Sequence, residues 1–151
     1  MKHSFVRILS TLALVGAIGA CGDDDPMTPD PDPDPNPSGG RTVKANPAFT
    51  ADVQEIFDRR GCTASQCHGT DPGQAGLNLS AGSSYADLVN VASSQDPNFI
   101  RVVPDSASVS LLYLKVLANP PIGGRMPVGG TLDTIDTNNI RNWIDTGAPN
   151  N

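Results

Sequence analysis

The chain has 151 residues, with ten Lys or Arg against sixteen Asp or Glu and a net charge of −6. No basic patch interrupts that balance, which excludes a nucleic-acid-binding surface. Fifteen Gly, fourteen Pro and an aromatic content of 5% leave material for one small domain with a modest core.

The N-terminus comes first in chain order. Lys2 and Arg7 form a short positive region, and Ile8 to Ile18 is an apolar run too short to span a bilayer as a mature helix. It ends in Ile18-Gly19-Ala20-Cys21, which resembles the lipobox of bacterial lipoproteins. That resemblance implies a signal peptide over 1–20, cleavage before Cys21 and lipidation of its thiol; an ordinary secretory signal cut near Ala20 is the alternative. Either way the mature chain is exported, where thiols can be oxidised to disulfides. From 21 to 40 the composition is that of a disordered tether, alternating Asp and Pro as far as Pro37 and closing on Ser38-Gly39-Gly40. At roughly 3.1 Å per residue it could hold a domain up to about 60 Å from its lipid. Residues 41–151 carry eight Lys or Arg against ten Asp or Glu, a net of −2, so most of the acidity lies in the tether.

The folded part opens with a predicted helix. Asn46-Pro47 or Thr50 can cap it, and Phe49, Val53, Ile56 and Phe57 recur at helical spacing up to Gly61. It runs into Cys62-Thr-Ala-Ser-Gln-Cys67-His68. Two thiols followed at once by a histidine look like a covalent haem-attachment site, in which the sulfurs add to the two vinyl groups and the imidazole reaches the iron as proximal ligand. The usual c-type spacing puts two residues between the cysteines; here there are four, Thr63 to Gln66. A disulfide loop between Cys62 and Cys67 with a bystander histidine is the competing reading. With Cys21 assigned to the anchor and His3 to the signal, no other cysteine or histidine remains. A four-cysteine zinc site and bis-histidine haem within one chain are thereby excluded, and zinc on these three residues lacks a fourth ligand.

Gly69 to Gly82 reads as a loop touched by Leu77-Asn78-Leu79, and Tyr85, Leu88, Val89 and Val91 suggest a short second helix. Phe99 to Pro104 is expected to be extended. A third helix is predicted from Asp105 or Ser106 through Leu117, stopped by Asn119-Pro120-Pro121. The last is capped by Asp133, carries Ile135, Ile140, Trp143 and Ile144, and ends at Gly147. The expected class is mostly α, a small helical domain with long loops. Phe57 and Trp143 are the natural aromatic pair for a crossing of the first and last helices, and Tyr85 and Tyr113 suit packing or propionate contacts.

This order of elements resembles the small bacterial cytochrome c domains, including cytochrome-like domains of lipoproteins described from planctomycetes. The likeness covers roughly Phe49 to Ala148. It is carried by the paired aromatics before the cysteine motif, the glycine-rich loop, Val103 to Val116 with Val-Pro-Asp-Ser-Ala-Ser, Gly123-Gly124-Arg125-Met126-Pro127, and the Trp-Ile helix before Gly147-Ala148. It implies a cytochrome c-like fold, one covalent haem c on Cys62 and Cys67, His68 as proximal ligand and Met126 as distal ligand. The wider cysteine spacing departs from the family pattern. Counting points to Met126 as well, because Met27 lies in the tether and Met126 is the only methionine of residues 41–151, in a Gly-rich, Pro-flanked loop with little to pack against. Arg125 could pair a haem propionate.

The expectation is a membrane-tethered mono-haem electron carrier, exported and anchored at the periplasmic face or the cell surface, with proteins as redox partners. His/Met ligation raises the reduction potential, and with both axial positions filled no catalysis of its own is expected. The alternatives are a haem-free surface lipoprotein whose Cys62–Cys67 disulfide pins a binding loop, and a haem sensor or peroxidase-like protein in which Met126 dissociates. No Ser-His-Asp set and no phosphate-binding glycine loop after a strand is present.

Overall fold

The computed structural model describes residues 40–151. The signal-like segment, Cys21 and the tether as far as Gly39 lie outside the described residues. Among those described, four short α-helices carry the fold: α1 (Glu55–Arg59), α2 (Ser84–Leu88), α3 (Leu111–Val116) and α4 (Thr134–Asp145). No strands are formed among them. Two isolated bridges, Val89 with Val102 in parallel and Ala92 with Ile100 antiparallel, are the only pairing of that kind. The mostly α expectation therefore holds, with loops making up much of the domain.

The first helix departs from expectation at its start. Phe49–Gln54, which leads directly into α1, is wound as a π-helix, with the Val53 amide reaching the Ala48 carbonyl at 3.3 Å. Neither Asn46-Pro47 nor Thr50 caps it. The first free amides instead find the opposite end of the domain: Phe49 N–H donates to Asn151 Oδ1 and Thr50 N–H to the Asn151 carbonyl, both at 2.9 Å. Helix N-termini leave amides without internal partners, and here residues distant in sequence supply them. Asp52 adds a local tie by accepting from Ala48 N–H at 2.8 Å.

Two other helices are shorter than their apolar patterns suggest. α2 stops at Leu88 because Val89 turns extended (φ −79°, ψ 122°) and is drawn to Val102. The predicted helix from Asp105 or Ser106 to Leu117 is broken at Ser110, between a single 3₁₀ turn at Ala107–Val109 and α3. Ser110 is fully buried, and its Oγ accepts from Val103 N–H at 2.8 Å while lying in bonding reach of the Ser106 and Val103 carbonyls. A buried hydroxyl that finds main-chain partners outside the helix competes with helical pairing. α4 matches expectation closely. Asp133 accepts from Asp136 N–H at 2.9 Å as N-cap, and Gly147 follows the helix with φ +95°.

The core joins the first helix to α4. Phe49, Val53, Ile56 and Phe57 pack with Leu88, Val102, Ile140, Trp143, Ile144 and Ala148, all buried. Trp143 is fully buried, and its ring partners are Phe49 (centroids 5.1 Å apart) and Tyr85 (6.5 Å). The expected Phe57–Trp143 pair is thus corrected: Phe49 supplies the ring that meets the indole, and Phe57 is buried in the same core. Tyr85 closes the aromatic trio at 5.2 Å from Phe49 and donates its hydroxyl to the Ala148 carbonyl at 2.9 Å.

A charge network missed in the sequence fastens the same elements. Asp136, 1% exposed, accepts from Arg41 Nη1 and Arg59 Nη2 at 2.7 Å and from Arg60 Nε at 2.6 Å. Asp133 accepts from Arg41 Nη2 at 2.8 Å and Arg60 Nη2 at 2.6 Å. Three guanidinium groups from the start of the domain and the end of α1 thereby converge on the N-terminus of α4. A buried carboxylate is tolerable only when paired and hydrogen-bonded this fully.

Candidate functional site

The end of α1 delivers the first cysteine in a fixed pose. Gly61 takes φ +70°, its amide bonds the Asp58 carbonyl at 3.1 Å, and the Cys62 amide bonds the Phe57 carbonyl at 2.8 Å. These two bonds around a left-handed glycine are the Schellman termination, which favours a residue without a Cβ at that position. Cys62 is therefore held by the helix itself, and its side chain packs against the core beside Phe57.

The four residues that widen the cysteine spacing are wound into turns. Ala64 N–H bonds the Gly61 carbonyl at 3.2 Å, Cys67 N–H bonds the Ala64 carbonyl at 2.8 Å, and His68 N–H returns to the Cys62 carbonyl at 3.0 Å. Gly69 closes the loop, its amide on the Ala64 carbonyl at 3.1 Å. A Cβ at Gly69 would collide with the Thr63 carbonyl, so the close approach of the two main chains needs glycine. Cys62, Cys67 and His68 thus share one closed loop despite the longer spacing.

Both cysteines are half-buried free thiols. Burial pushes the Cys62 thiol pKa up, and nearby Cys67 and Asp58 add to the rise against the pull of its own main chain and of Arg60. A raised pKa keeps Cys62 protonated and poorly nucleophilic near neutrality.

His68 is oriented by the loop that follows. Its Nδ1 lies 3.2 Å from the Leu77 carbonyl, while Leu79 N–H bonds the His68 carbonyl at 2.6 Å. A carbonyl can only accept, so Nδ1 is the donor in this contact, and in the neutral imidazole Nε2 then carries the lone pair. Metal-ligating histidines characteristically fix their tautomer by such a bond to a carbonyl or carboxylate.

Arg125 and Met126 sit on a different segment, fastened to α3. Met126 N–H bonds the Lys115 carbonyl at 2.8 Å, and Arg125 Nε donates to the Val116 carbonyl at 3.3 Å. Lys115 Nζ donates to the Ile122 carbonyl at 3.0 Å, and burial lowers its pKa. Met126 is half-buried in non-helical chain, as its glycine-rich surroundings suggested. No hydrogen bond among the described residues links this segment to the Cys62–Leu79 segment. Lys44, the other nitrogen that could replace a thioether, pairs with Asp52 instead.

Among the described residues no three His, Cys, Asp or Glu side chains converge to hold a metal ion. A macrocycle asks for a different arrangement: two thiols on one loop, an imidazole with Nε2 free, and a thioether from elsewhere in the chain. Cys62, Cys67, His68 and Met126 supply those groups. No family model, curated protein or solved structure matches this chain. Among the described residues, no helix is long and apolar enough to cross a membrane.

Three groups around His68 escape sequence reasoning. The Leu77 carbonyl, being main chain, has no residue signature. Asp87 and Arg101, which hold the loop carrying that carbonyl, look like ordinary surface charges. The only available hint was the Leu77-Asn78-Leu79 run inside an otherwise polar loop.

Proposed function

We propose that the chain is a mono-haem c-type cytochrome domain that carries electrons and is tethered to a membrane through a lipid on Cys21. The observation that carries this reading is the His68 imidazole, immediately after two thiols on one closed loop, with Nδ1–H spent on the Leu77 carbonyl and Nε2 left free. Covalently bound haem would supply one-electron chemistry between ferric and ferrous iron. Cys62 and Cys67 would hold the group by thioether bonds, and His68 and Met126 would ligate it, the thioether favouring the ferrous form. Cys62 packs against the hydrophobic core, and Cys67, His68 and Met126 are half-buried.

The test is an absorption spectrum and intact mass of the full chain made with a c-type haem maturation system, in more than one host because of the four-residue spacing. Haem retained through acid-acetone extraction, with a mass gain of one haem, is the expected result. A colourless protein lighter by two hydrogens at Cys62 and Cys67 would instead make it a haem-free lipoprotein with a disulfide-pinned loop.

A further inference from the structure

The Leu77–Asn78 peptide is gripped at both of its polar atoms. Its carbonyl accepts the His68 Nδ1–H at 3.2 Å, and its amide donates to Asp87 Oδ2 at 2.8 Å. A peptide group is a single delocalised unit. A carboxylate drawing on the N–H shifts electron density toward the oxygen and makes it a stronger acceptor, the cooperative effect seen along chains of hydrogen bonds. The negative charge of Asp87 therefore reaches the imidazole through one intervening amide.

The surroundings hold this linkage in place. Arg101, 8% exposed, donates from Nη1 to the Asp87 carbonyl at 2.8 Å and from Nη2 to the Gly76 carbonyl at 2.8 Å and the Ala75 carbonyl at 3.3 Å. All these partners are main-chain oxygens, so the guanidinium bolts α2, which bears Asp87, to the residues just before Leu77. Ser94 Oγ also donates to the Ala75 carbonyl. On the far side, Gln54 Nε2 donates to the Leu79 carbonyl at 2.9 Å while its Oε1 accepts from Ser84 at 2.6 Å. A buried cation with three carbonyl partners is costly to assemble unless it fixes something.

We infer that Asp87 is a positioning residue for His68, acting through the Leu77–Asn78 peptide to hold the Nδ1–H and make the imidazole more electron-rich, with Arg101 keeping the two sides in register. Its consequence for a reduction potential rests on the haem reading; the linkage itself belongs to the chain. An electron-rich imidazole stabilises ferric over ferrous iron, so weakening the linkage raises the potential.

Asp87→Asn tests charge with shape retained, since an amide oxygen can still accept from Asn78 N–H; Asp87→Glu restores the charge. In the haem-loaded full chain, Asp87→Asn is expected to favour reduction by about threefold, near 30 mV at 59 mV per decade, and to move the His68 Nδ1 proton resonance upfield. Asp87→Glu should lie nearer the wild type on both readouts. If Asp87→Asn lowers thermal stability but leaves potential and Nδ1–H resonance unchanged, Asp87 is only a structural tie and the inference is wrong. If the wild-type chain takes up no haem, the electron-carrier reading fails separately. The linkage is then decided on the haem-free chain, where a His68 resonance without an Nδ1–H tautomer, or one insensitive to Asp87→Asn, overturns it.

Discussion

Met126 is the residue on which the proposed potential depends. It is the only thioether in residues 41–151 and is fixed through its amide to Lys115. Replacing it by Ala should open the sixth position to water or carbon monoxide and lower the potential. A drop of ~100 mV is about a fiftyfold change in a one-electron equilibrium, readily seen by redox titration. An unchanged spectrum, potential and carbon monoxide response would remove Met126 from the ligand set. Lys115, whose amine is already partly desolvated, would become the leading candidate, and a sensor or peroxidase-like role would move ahead of the carrier. At this scale Cys62, Cys67 and His68 could be picked out as candidates by their adjacency, and Met126 by counting, as the only methionine of residues 41–151. What orients them could not, since main-chain carbonyls such as Leu77 leave no mark in composition.

Among the elements, the loop between α1 and His68 is the most sensitive to a small change. Gly69→Ala would drive a methyl group into the Thr63 carbonyl and force the main chains apart. We expect retained helicity by circular dichroism with a marked loss of haem incorporation. Full incorporation would show that loop closure is dispensable.

The N-terminus of α4 should respond to acid. Burial alone would raise the Asp133 pKa, but bonds from Arg41 and the Asp136 amide, with the charges of Arg41 and Arg60, bring it down to about 2. An aspartate in an unfolded chain titrates near ~3.9. Its contribution is thus complete above about pH 4 and is lost as pH falls toward 2. Solvent screening keeps that contribution modest, because the Asp133 side chain is 39% exposed. Urea midpoints measured from pH 5 to 2 should fall across this window, and Asp133→Asn should flatten part of the slope. The Asp133 cap and the Gly147 stop were legible because capping is local chemistry. The π-wound start and the break at Ser110 were not, since each depends on partners brought in by the rest of the fold.

At the scale of the whole molecule, the mostly helical class of residues 40–151 follows from apolar periodicity. The aromatic centre was read about two turns off: Phe49 and Phe57 both lie at helical spacing, and the ring that meets Trp143 is Phe49. The tether leads to a separate expectation. Cys21→Ala should abolish lipidation and signal processing while leaving the haem site chemically intact. Complete partitioning of that variant into detergent, with processing at the same bond, would rule out the lipid anchor on Cys21.

Asn151 closes the start of the first helix, a contact spanning 102 residues in sequence. Contacts that distant carry a high loop-closure cost and form late. The Cys62–Gly69 loop at the other end of that helix is closed by bonds between near neighbours in sequence, His68 N–H to the Cys62 carbonyl and Gly69 N–H to the Ala64 carbonyl. The loop that carries the two thiols is therefore expected to close on itself before the start of the helix is held, so the two ends of one helix are set at different stages of folding.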